Sequence, residues 1–91
     1  MLPPGGTLVR LVVQWVCDGG SNANYRVIIY PEEARFPSPL TLSSRQELLR
    51  RLSKIFPDFD EKQLRPEEKP PQIVFAAAVE LTDAQIVALL Q

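Results

Sequence analysis

Three stretches of this chain hold residue types that could do chemistry: Cys17 to Asn24, Asp58 to Glu61, and the cations Arg45, Arg50, Arg51 and Lys54. The first contains the single cysteine. A reactive thiol needs its pKa lowered by a cation, a metal or a helix N-terminus. The neighbour here is Asp18, which disfavours a thiolate, and the chain has no histidine to pair with it. A packing role is expected instead, with Cys17 turned inward, because lone cysteines rank among the most buried residue types. The run "DGGSNAN" (18–24) could also cradle an anion on converging backbone amides. A nucleotide fingerprint needs glycines at fixed spacing between a strand and a helix. Here a second strand-like segment follows, so the run reads as a hairpin loop, with Gly and Asn supplying positive φ.

"DFDE" (58–61) clusters three carboxylates. A calcium loop needs more oxygen ligands at alternating positions and a central glycine. Asp58 and Asp60 also lack a nucleophile or electrophile to serve, so capping and a solvated acidic surface are expected. The four cations lie on one helix-forming segment. At ~100° per residue they spread over its solvent side, and Glu47 dilutes them. They are the residues of an alternative reading, a small-anion or nucleic-acid binder.

Composition narrows the field. Ten basic and eleven acidic residues give a formal net charge of −1, whereas nucleic-acid binders usually show a basic excess. With no histidine, the commonest general base and zinc ligand are missing. No enzyme, metal or cofactor is expected. One cysteine permits no internal disulfide, so a cytoplasmic location is expected. The apolar run Leu8–Cys17 is interrupted by Arg10 and Gln14, is too short to span a bilayer, and lacks the flanks of a signal peptide. No membrane association is expected.

The elements that position these groups follow from periodicity. "TLVRLVVQWVC" (7–17) reads as a strand, with Val9, Leu11, Val13, Trp15 and Cys17 on one face and Leu8, Arg10, Val12, Gln14 and Val16 on the other. "YRVIIY" (25–30) is a second strand, ended by Pro31. The extended segment 32–42 leads to a helix over 43–56. Ser44 and Glu47 there have capping-box spacing, Leu48, Leu49, Leu52, Ile55 and Phe56 form a stripe, and Pro57 stops it. Asp58 and Glu61 repeat the cap spacing over a further short turn. After the charged, proline-rich loop 65–72, "IVFAAAVEL" (73–81) is a strand. Ala76, Ala77 and Ala78 would let a helix lie close to it. Thr82 and Gln85 then cap a terminal helix of about two turns, with Leu81 and Ile86 as a hydrophobic staple.

One small α+β domain is expected over residues 1–91, with a loose Pro/Gly leader at 1–6. It would be a two-layer sandwich whose three-stranded sheet (hairpin, helix, strand, short C-terminal helix) is covered on one face. The element order partly resembles the β-grasp (ubiquitin-like) topology. That resemblance implies a last strand parallel to the first, and a fourth strand only if residues 32–42 supply one. The uncovered face then sets the functional expectation, a non-enzymatic protein-interaction or adaptor/regulatory module that binds a protein partner or forms a homodimer. Leu8, Val12, Val16, Ile28 and Tyr30 on that face, with Phe36 in the neighbouring loop, are the candidate contacts with a protein partner or a second copy.

Overall fold

The computed structural model describes residues 6–17, 23–31 and 39–90. Strands β1 (Gly6–Cys17) and β2 (Ala23–Tyr30) form the expected antiparallel hairpin, in the register Arg10 to Tyr30, Val12 to Ile28 and Cys17 to Ala23. A three-residue strand β3 (Leu40–Leu42) adds to the outer side of β2, with Tyr25 opposite Leu42. Helix α1 (Arg45–Ile55), a 3-10 turn (Glu61–Gln63), strand β4 (Gln72–Thr82) and helix α2 (Asp83–Leu90) follow. The sheet has four strands in the order β3-β2-β1-β4, all antiparallel.

The fold is therefore α+β, as expected, but with four strands rather than three. Residues 32–42 supply the extra strand at their C-terminal end. This addition also removes the β-grasp parallel pair, because β4 runs antiparallel to β1. The cause is directional. Leu42 leaves the sheet beside Tyr25, Tyr25 lies opposite Trp15, and Trp15 lies opposite Gln72, where β4 enters. Exit and entry share one end of the sheet, so β4 must run back along β1.

Local chemistry sets the element ends. Ser44 Oγ accepts from the Glu47 N–H at 3.3 Å and caps α1. Thr82 and Gln85 make the full reciprocal box, at 3.1 and 2.9 Å. Their staple residues, Leu81 and Ile86, are both buried. The cap of the 3-10 turn lies two residues later than expected. Asp60 is the capping residue and Gln63 its reciprocal partner.

The core fills the space between one sheet face and the two helices. Val9, Leu11 and Val13 from β1, and Tyr25, Val27 and Ile29 from β2, meet Leu48, Leu52 and Ile55 of α1 and Ile86, Leu89 and Leu90 of α2. The terminal helix thus spends its apolar residues on the core. Cys17 departs from expectation: it shares the inward parity of β1 but is exposed. Trp15, two residues earlier, is already only partly buried, because the strand outruns the helical layer.

Replacing Leu48, fully buried against the sheet, with alanine should cost about 2–5 kcal/mol in urea unfolding. Cys17→Ser should change stability by less than about 0.5 kcal/mol, as expected of an exposed site. A large loss for the serine variant would contradict the exposed position of the thiol.

Candidate functional site

The sheet face away from the helices is the candidate site. Strand alternation places Leu8, Arg10, Val12, Gln14 and Val16 of β1 there, with Asn24, Arg26, Ile28 and Tyr30 of β2. The contribution of β4 depends on an irregularity. The β1–β4 register shifts between Val13 and Gln14, so that Val13 faces Phe75 but Gln14 faces Ile73. Val74 is the extra residue. It is fully buried, and Phe75 also packs against the core. Ile73 therefore falls on the open face, beside Gln14, and Ala76 and Ala78 follow it opposite Val12 and Arg10. Only Ala77 of the three alanines lies on the helix side, so the close helix approach expected of the trio is not realised by Ala76 and Ala78.

The exposed large hydrophobics among the described residues are Leu8 (66%), Ile73 (48%) and Tyr30 (42%), and all lie on this face. Two shallow depressions run between them. One is bordered by Leu8, Arg10, Tyr30 and Ala78, the other by Arg10, Gln14, Tyr30, Ile73 and Ala76. Arg10 stands between the two.

Val12 and Ile28 are a different matter. They were expected to need outside cover, yet each is 8% exposed. They lie opposite one another, between the rank Arg10–Tyr30 and the rank Gln14–Arg26. Strand parity therefore places both on this face, but neither offers a free apolar surface there. Val16 is half-buried. Phe36 lies outside the described residues, as do residues 18–22 of the run 18–24, whose last two residues, Ala23 and Asn24, begin β2. The anchors thus become Leu8 and Tyr30 from the expected set, together with Ile73. No signal in the sequence marks the bulge, and without it Ile73 and Phe75 would share a face.

A second apolar feature borders β4 on the helix side. Phe59 meets Phe75 edge-on, with ring centroids 5.5 Å apart, and Phe56 lies 6.1 Å from Phe75. Phe59 thereby packs against the core from the loop after α1. Pro57 and Asp58 complete an open cleft beside it.

The cations of α1 are largely engaged. Arg45 reaches Glu61 at 3.4 Å and Glu67 at 3.3 Å. Arg50 Nε donates to Glu47 at 3.0 Å, and Arg51 Nε donates to the same carboxylate at 3.0 Å. Arg51 also donates to the Leu89 carbonyl at 2.9 Å, which ties α1 to the end of α2. Three of the four cations are thus paired with carboxylates, and Lys54 is exposed. Among the described residues, no three acidic or thiol side chains come together to hold a metal ion, and no helix is long and apolar enough to cross a membrane.

The hydrogen bond from Arg50, helped by its charge and by Arg51, holds the Glu47 carboxyl below the usual carboxylate range against a smaller opposing effect of desolvation. A depressed folded pKa adds stability above the unfolded value and loses it as pH falls through the folded value. Glu47→Gln should therefore melt below the parent protein at neutral pH, and the gap should close in strong acid. Thermal melts across that range would show a constant gap if the ion pairs contribute nothing. Comparison of the chain with protein-family models, with curated proteins and with solved structures finds no match.

Proposed function

We propose that this protein is a non-enzymatic protein-interaction module that docks a protein partner on the open face of its sheet. One observation carries the reading: Leu8, Tyr30 and Ile73 are the exposed large hydrophobics among the described residues, and they share that face. A group of apolar anchors on one side of a small domain favours macromolecular contact, since scattered single exposures would need no explanation. Tyr30 offers a large ring with a polar tip, a type enriched at binding hot spots. Arg10, between the two depressions, makes no ion pair with any described residue, so it suits an acidic or carbonyl group on the partner. A reducing compartment such as the cytoplasm fits the exposed Cys17, because a lone accessible thiol invites intermolecular pairing where disulfides form.

The test is site-specific photo-crosslinking in cells. A crosslinking amino acid at position 73 or 8 should trap a defined partner, and one at Lys54, on the opposite side, should not. Tyr30→Asp should abolish the crosslink while leaving the thermal melt unchanged, as expected for a partly exposed ring. Equal crosslinking from Lys54, or none from the sheet face, would sink the proposal.

A further inference from the structure

The two edges of the sheet are unlike. β3 has three residues and follows Pro39, two common devices against edge pairing. β4 has eleven residues, and from Ile73 to Val79 it carries neither charge nor proline. Part of its free edge is occupied. The Arg65 N–H donates to the Val74 carbonyl at 2.8 Å, so that carbonyl faces away from β1. In a trans peptide the following N–H points the opposite way. The Phe75 amide therefore faces β1, and strand alternation sends the N–H and C=O of Ala76, Ala78 and Glu80 to the free edge. No hydrogen bond joins these edge groups to any described residue.

We propose that this edge pairs with the same edge of a second copy, antiparallel about a two-fold axis at Ala78, making one continuous eight-stranded sheet. Three features select this register. Opposed residues must point to the same face, so even-numbered positions oppose even-numbered ones. Arg65 blocks the lane at Val74, so the pairing strand must end near Thr82, where β4 gives way to α2. A two-fold at Ala78 satisfies both, with Ala78 opposite Ala78 and Ala76 opposite Glu80 of the second copy.

Charge then agrees. Glu80 of one copy sits two residues, roughly 7 Å, along the lane from Arg65 of the other. Arg65 and Glu80 are both exposed, and neither forms an ion pair with a described residue. The symmetry supplies that pair twice. A shift of the axis to Val79 would instead bring the two Glu80 side chains diagonally together, which like charge disfavours. On the helix side, Ala77 opposes Val79 of the second copy beside the cleft of Phe56 and Phe59. The pairing consumes backbone at the edge and leaves the open face free, so it stands independently of the partner proposed for that face.

Sedimentation equilibrium of the purified full chain is the test. The parent protein should show a reversible monomer–dimer equilibrium, with the amides of Ala76, Ala78 and Glu80 protected from hydrogen exchange only in the dimer. Ala78→Pro removes an N–H that faces outward, so the monomer should keep its fold and lose the dimer. Glu80→Arg and Arg65→Glu should each weaken association by roughly 2- to 30-fold, the value of two exposed ion pairs, and the double variant should restore it. A parent protein monomeric at all accessible concentrations would overturn the proposal. So would a dimer indifferent to Ala78→Pro, or charge variants that fail to compensate, since either would place the contact elsewhere.

Discussion

Two helices of 11 and 8 residues have to cover a sheet whose longest strands have 12 and 11. At helical rise they are about 16 and 12 Å long, whereas the longest strand extends roughly 40 Å. They can shield one face of the sheet, and only along its middle. Val9, Leu11 and Val13 fall under that cover and are buried, while Cys17 at the far end of the same face is exposed. The opposite face receives neither α1 nor α2. There Val12 and Ile28 are buried, while Leu8, Tyr30 and Ile73 stand in solvent.

Holding even that one layer in place takes more than apolar contact. An eight-residue helix is marginal in isolation. α2 is fixed at its start by the reciprocal bonds of Thr82 and Gln85, and near its end by the Arg51 guanidinium on the Leu89 carbonyl. Arg51 is oriented in turn by Glu47, which also takes Arg50. The same charges that make α1 look like a basic ligand-binding face are thus used to assemble the helical layer.

Much of the architecture is legible in particular residues. Ser44 and Thr82 announce both helix starts, Pro57 and Pro31 mark element ends, and the alternation of β1 separates its faces. The third strand is not legible, since Leu40–Leu42 is too short to show a period. Nor is the bulge at Val74, which moves Ile73 to the open face and turns Phe75 inward. For the candidate site, Leu8 and Tyr30 follow from strand parity. Val12 and Ile28 carry the same parity but are buried, because strand parity fixes the face of a residue and not what lies over it.

The amino-acid sequence by itself determined the three long strands, the two α-helices with their N-terminal caps, and the two faces of β1 and β2. These depend on hydrogen bonds and side-chain periodicity within a few residues. Only the tertiary structure decided the direction of β4, the exposure of Cys17, and the engagement of the α1 cations by Glu47, Glu61 and Glu67. It also decided which surfaces the described residues leave open, the Leu8–Tyr30–Ile73 face and the β4 edge. The reason is one of range. Whether a face or an edge is covered depends on which distant element reaches it, and that is set by where the chain leaves and re-enters the sheet.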